Sequence, residues 1–333
     1  MKILVRDWKR VITIPLKFGV PIASAIAASL TVGSTAMAQN YPTQPIKVIC
    51  AVSSGSPVEV TARLVINDLS NRLGKPIIVE NRPGGGGTIG VGEFARATPD
   101  GHTLLCGAIG DAFASKVIGR DPAKDFTPVA TAARVDWVLV VRPGLPANSL
   151  GQLIEYAKAN PGKLNWGFGQ GTAPHMYGEM FKSVTGIDVV NIPYKSGTQA
   201  VPDMLGGRID INFGTLSNLL PLIREGKVRA IAVTSEARSP DLPDVPTMAQ
   251  SGFPRLTRGD WIGFWAPGGT SPEIVNRLNR EINAGLATPE TKAAMRKLGF
   301  EPRMGSPQEF AAFIRNEIDI WTPAAKAAGI LPR

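Results

Sequence analysis

Histidine and cysteine are scarce in this chain: His102, His175, Cys50 and Cys106 are all it has in 333 residues. Two histidines argue against a multi-histidine metal centre, and two cysteines make neither a metal set nor a disulfide framework. Both cysteines fall in apolar runs that read as strands, where a thiol serves as a small hydrophobe. Free, buried thiols are therefore expected ahead of a disulfide. Dense clusters of lysine and arginine are missing too, which removes the footprint of a DNA- or RNA-binding surface. No internal repeat is present, and low complexity is confined to Gly84–Gly87. That tract lacks the GK[ST] ending of a P-loop and the glycine spacing of a dinucleotide fingerprint. No nucleophile stands beside a base at a spacing that suggests a triad. Neither a metal nor a cofactor is expected.

What is present begins with an export signal. Lys2, Arg6, Lys9, Arg10 and Lys17 precede an apolar stretch from Val20 to Val32, and Ala36-Met37-Ala38 follows just before Gln39. That order of charge, apolar core and small-residue site is the signal-peptidase pattern. The core falls short of the ~20 residues that span a bilayer, although an uncleaved anchor is the alternative reading. No cysteine follows the site, so a lipid anchor is not expected. Residues 1–38 are read as a signal peptide and the working protein as a soluble, exported chain from Gln39. The formal charge of +9 loses the leader's five basic residues and one acid, leaving +5. A mildly basic protein suits anionic ligands.

Short β-branched runs alternate with amphipathic helices along the rest, which predicts an α/β chain with parallel strands. Strands are expected at 46–52, 77–80, 103–107, 138–141, 189–192, 209–213 and 230–234. Helix starts are marked by Ser56-Pro57-Val58-Glu59, Ser271-Pro272-Glu273 and Ser306-Pro307-Gln308-Glu309, each with a cap and a first-turn proline. Pro/Gly clusters at Arg142–Pro146 and Pro254–Gly269 read as crossings between lobes. On that reading residues 39–140 with 262–333 build one lobe and 141–261 the other. Such a pair leaves a cleft at the strand C-terminal ends.

Three strand-to-helix loops could face it. Ser53-Ser54-Gly55-Ser56 offers hydroxyls and backbone amides at a helix N-terminus, which attracts carboxylates; the plainer role for Ser56 with Glu59 is capping. Gly169-Gln170-Gly171-Thr172-Ala173-Pro174-His175 is the second, with His175 either a packing residue or a ligand contact. Lys195, in the third (Tyr194–Thr198), is a point charge for an anion or simply solvated. Phe168, Phe213, Trp261 and Trp265 are core aromatics or parts of an aromatic wall. Gly84–Gly87 reads as a tight turn needing positive φ.

These segments together resemble the Bug family of periplasmic receptors for tripartite tricarboxylate transporters. The resemblance rests on Tyr41–Ile46, Val79–Gly84, Pro99–Leu105, Pro161–Leu164, Gly171–His175, Ile192–Lys195, Ala230–Ser235 and Leu242–Thr247, in the family's order. It implies a two-lobed, type II periplasmic-binding-protein fold with an interlobe ligand cleft. It also implies a carboxylate gripped between Ser53–Ser56 and Gly169–Ala173 by amides, hydroxyls and waters, in a monomer serving membrane transporter subunits. Two departures stand out. The first loop carries more hydroxyls and less glycine than the family's, and the family's Asp after the Phe of a later strand falls on Gly214. The latter argues against amino-acid ligands and for a mono- or dicarboxylate, aromatic ones included, with a ring near Phe168, Phe213 or Trp261. A sensor for a signalling partner is the alternative, and an envelope enzyme acting on a small carboxylate is a more distant one.

Overall fold

The computed structural model describes residues 41–332, so the expected leader and its cleavage site lie outside the described residues. Strand β1 (Ile46–Cys50) runs through the Ser53–Ser56 loop into helix α1 (Pro57–Leu73), followed by β2 (Ile77–Asn81). The start of α1 follows from its residues. Ser56 stays extended and its hydroxyl accepts the Glu59 amide, Pro57 takes the first turn, and Gly74 ends the helix in left-handed backbone. Then come α2 (Thr88–Phe94), β3 (Thr103–Gly107), α3 (Ile109–Val117) and β4 (Phe126–Val135).

A second group follows: β5 (Trp137–Val141), α4 (Leu150–Ala159), β6 (Asn165–Gly169), α5 (Ala173–Thr185), β7 (Val190–Tyr194), α6 (Ala200–Leu205), β8 (Ile211–Thr215), α7 (Leu216–Arg224) and β9 (Arg229–Val233). The chain then returns through β10 (Asp260–Pro267), α8 (Pro272–Leu286), α9 (Pro289–Lys297), β11 (Phe300–Pro302) and α10 (Pro307–Ala327).

Two sheets result. The first has the order β11-β4-β10-β3-β1-β2 and the second β7-β6-β8-β5-β9. Expected parallel pairing holds for β1 with β2 and β3, and for β6 with β7 and β8. It fails for β10, antiparallel to both β3 and β4, and for β5, antiparallel to β8 and β9. The fold is the expected two-lobed α/β one, with mixed rather than parallel sheets.

The first crossing is placed differently from the sequence expectation. Only Asp136 separates β4 of the first sheet from β5 of the second. Residues 137–140, assigned with the first lobe, therefore sit in the second sheet. Arg142–Pro146 is a turn after β5: Leu145 N–H donates to Arg142 O at 3.1 Å, so its prolines mark a turn inside one lobe. The chain returns to the first sheet at Asp260–Pro267, a strand where the sequence suggested a crossing, which puts Trp261 in the first sheet.

Helix α10 lies against β4 and α3 and also against α5, so it touches both lobes. Its buried Trp321 meets Trp137 of β5 edge-on at 6.5 Å and Tyr177 of α5 at 6.4 Å. The Tyr177 hydroxyl donates to Leu256 O at 2.6 Å, tying α5 to the returning crossing. In the second lobe the indole of Trp166 packs directly against Gly178 of α5, where a Cβ would fall 1.6 Å from the ring.

Cys50 and Cys106 are partners across β1 and β3, free and fully buried, as expected. Burial and the neighbouring Cys50 push the Cys106 thiol well above its usual range. Both thiols are shielded from solvent, so neither should react with an alkylating reagent in the folded protein, and both should react in denaturant. Rapid labelling of the native protein, read by mass spectrometry, would contradict this burial.

Candidate functional site

The C-terminal ends of the parallel strands face each other across a cavity of about 910 Å³. The first lobe contributes the loop after β1, the glycine run Gly84–Gly87 and the start of α3. The second contributes Gln170–Pro174, Pro193–Thr198 and the end of β8. Val135, Trp137, Asp260 and Ile262 line it beside the crossings.

Ser53, Ser56, Gln170, Gly171, Thr172, Ala173, Lys195 and Phe213 lie on the cavity wall. The starts of α1 and α5 thus both open onto the space, each bringing the partial positive charge of a helix N-terminus. Ser54 and Gly55 sit in the same loop but are exposed and off the wall. Gly55 donates its amide to the buried Glu59 carboxylate at 3.2 Å, and Glu59 also pairs with Arg63. That link shapes the loop and removes one amide from ligand duty. Gly169 stands one step behind the wall, its carbonyl accepting the Thr172 hydroxyl at 2.7 Å.

Phe168, His175 and Trp261 do not reach the cavity wall. Phe168 and His175 stack, with ring centroids 4.1 Å apart and planes 7° from parallel. His175 is buried, which pushes its pKa down to about 4, so the ring is neutral. Its Nδ1 accepts the Gly171 amide at 3.4 Å, and it props the loop from beneath. Trp261 points to the opposite face of β10, against Trp265, Phe310 and Phe313. Alternation along a strand explains it, since Asp260 and Ile262 take the cavity side. The aromatic residues of the wall are Phe213, Trp137 and Tyr194.

All four glycines of Gly84–Gly87 have positive φ, as their tight turn requires. They do more than turn. A Cβ on Gly171 would lie 2.8 Å from Gly86 Cα, and one on Gly110 would lie 2.7 Å from Gly171 O. The lobes therefore meet backbone to backbone at the cavity edge, a contact that only residues without side chains permit.

Sequence reasoning missed Asp111 and Asp260, both on the wall. Ala108 N–H donates to Asp111 at 2.8 Å, and Asp260 accepts amides from Trp261, at 2.8 Å, and from Ile109. Burial still pushes Asp111 up to about 6 and Asp260 up to about 8. Among the lining residues only Lys195, Asp111 and Asp260 carry ionisable charge of these types, and Lys195 is exposed. A charged residue opening an otherwise apolar run, Asp260-Trp261-Ile262-Gly263-Phe264, was the available signal.

Comparison with known proteins agrees with this architecture. Residues 61–330 match the family described as the tripartite tricarboxylate transporter family receptor, TctC. Protein BugT of Bordetella pertussis is 34% identical over 308 residues, covering 91% of this chain and 94% of its own. The periplasmic binding protein BugD superposes with a TM-score of 0.79 at 35% identity, over 87% of this chain and 99% of that one. A protein of R. palustris solved with adipate gives 0.79 at 34% identity, over 87% and 98%. With matched sequence, matched fold and a cleft between paired lobes, this chain belongs to the receptor family of tripartite tricarboxylate transporters.

Proposed function

We propose that this chain is a monomeric, exported receptor that captures a small organic carboxylate between its lobes and hands it unchanged to a tripartite transporter. The observation that carries this reading is the pair of facing helix N-termini, α1 and α5, opening on one cavity through Ser53, Ser56 and Gln170–Ala173. Oriented amides and hydroxyls neutralise a carboxylate without requiring an arginine. A ligand touching both loops favours the closed arrangement by its differential contacts. The adipate-bound relative supports the ligand class, and the export signal read at residues 1–38 supports a periplasmic site of action.

The test is a thermal-shift screen of residues 39–333, refolded to remove carried-over ligand, against mono-, di- and tricarboxylates, aromatic acids, keto acids and amino acids. A ligand that binds only the folded state raises the melting temperature, by about 2.7 kcal/mol of stability at a hundred times Kd. A hit among the carboxylates, recovered unchanged after release, is the expected result. A screen silent for every carboxylate, or turnover of the bound compound, would remove the reading.

A further inference from the structure

The two acids of the cleft have no part in gripping a carboxylate. Asp111 is the third residue of α3 and closes its first turn, its side chain accepting the Ala108 amide at 2.8 Å. Gly87 and Gly107 fit closely around that carboxyl; a Cβ on either would lie 3.2 or 2.8 Å from its oxygens. Asp260 arrives from a different element, the first residue of β10, and accepts the next amide of the same helix start, that of Ile109.

Both carboxyls serve the α3 start, Asp111 taking the Ala108 amide and Asp260 the Ile109 amide, and both also line the cavity. The second acid adds like charge at the same helix end, with Glu317 of α10 contributing further repulsion. Glu317 is itself held by Arg258 at 3.4 Å and by the Trp321 indole N–H at 2.9 Å. The nearest cation on the cavity wall is the exposed Lys195 of the other lobe. A carboxylate has about four acceptor positions, so both acids keep unused acceptor capacity beside the cavity. Groups held at such electrostatic disadvantage in a cleft concentrate at functional positions.

We infer that Asp260, together with Asp111, is the specificity end of the cleft, selecting carboxylates that also carry a hydrogen-bond donor, a hydroxyl or an ammonium, on the crossing side of the pocket. This rests on the receptor reading above and deepens it. The carboxylate sits between the α1 and α5 loops, and the donor meets the acids. A second carboxylate at that end would face like charge in a poorly solvated space. An acid supplied by β10 also replaces the one whose absence at Gly214 had argued against amino acids.

The two donors differ in proton linkage. An ammonium needs the acids ionised, so its binding expels the proton that burial keeps on Asp260. Its affinity therefore rises as pH goes from 6 to 8. A hydroxyl is served by either protonation state and shows little such slope.

The experiment is calorimetric titration of the refolded protein with matched sets of three to six carbons. Each set contains the plain monocarboxylate, its hydroxy and amino derivatives, and the dicarboxylate, at pH 6, 7 and 8, on wild type and Asp260→Asn. In the wild type a donor-bearing member should bind at least about tenfold tighter than the plain acid and the dicarboxylate of its set. Asp260→Asn should erase most of that preference and any pH slope. Equal binding of plain acid, dicarboxylate and donor-bearing acid would overturn the inference and leave the receptor reading intact. Absence of binding by every carboxylate would sink both. Should Asp260→Asn not fold, the wild-type ranking decides alone.

Discussion

Replacing Gly110 with alanine should weaken ligand binding by about ten- to a hundredfold while leaving the empty protein at least as stable. The two effects have opposite signs because they arise in different states. Gly110 lies inside α3 with ordinary helical backbone, where alanine is favoured over glycine by up to ~1 kcal/mol. Where the lobes meet in the structure, however, the new methyl would sit 2.7 Å from Gly171 O and 3.5 Å from Thr172 Cα. Backbone on both sides leaves nothing flexible to give way, so the lobes must part by several tenths of an ångström. The ligand then loses contacts on one lobe, and each tenfold in affinity corresponds to ~1.4 kcal/mol. Calorimetric titration beside a thermal melt checks both signs at once. Undiminished affinity would mean that closure does not bring these loops together.

Gly178→Ala should have the largest effect on stability, lowering it by about 3 kcal/mol and the melting temperature by roughly 6–10 °C. The added methyl would overlap the Trp166 ring, with the nearest carbons at 1.6, 1.9 and 2.3 Å. Trp166 is 2% exposed, tilted against Phe168 at 4.6 Å and edge-on to Phe213 at 6.4 Å. Its escape would displace the rings beneath the α5 loop, so ligand affinity should fall with stability. Helix propensity returns only up to ~1 kcal/mol of this. Adding Trp166→Phe removes the outer ring and should restore part of the loss. An unchanged melt of Gly178→Ala alone would show that the indole finds room elsewhere.

Much of the architecture is legible where local chemistry and tertiary structure agree. Ser56, Ser271 and Ser306 cap their helices as expected, each accepting the amide three residues on. The loops that open onto the cavity are readable for the same reason, because a strand end followed by a cap and proline locates a helix N-terminus. Other parts depend on partners far along the chain. β4 and β10 escaped because Pro128-Val129-Ala130-Thr131-Ala132-Ala133 is alanine-rich, and because the prolines and glycines around 254–269 suggest a linker. Without β10 as a strand, its alternation could not be applied, so Trp261 was turned toward the ligand and Asp260 passed over. The one-residue crossing at Asp136 carries neither proline nor glycine to mark it. The His175–Phe168 stack depends on how α5 lies over β6, which spacing alone does not reveal.

The position of β10 also orders the assembly of the molecule in time. Residues 137–233 hold every strand of the second sheet in one continuous stretch, so that half can form as soon as they are available. The first sheet cannot. Its β3 and β4 are joined only through β10, which follows them by more than a hundred residues and inserts between them. Until then both present unpaired edges, which are templates for association with other chains, and long-range pairing of this kind is slow. The half that supplies the Ser53–Ser56 loop, Asp111 and Asp260 is therefore the late-folding half, and aggregation during refolding should begin at β3 and β4.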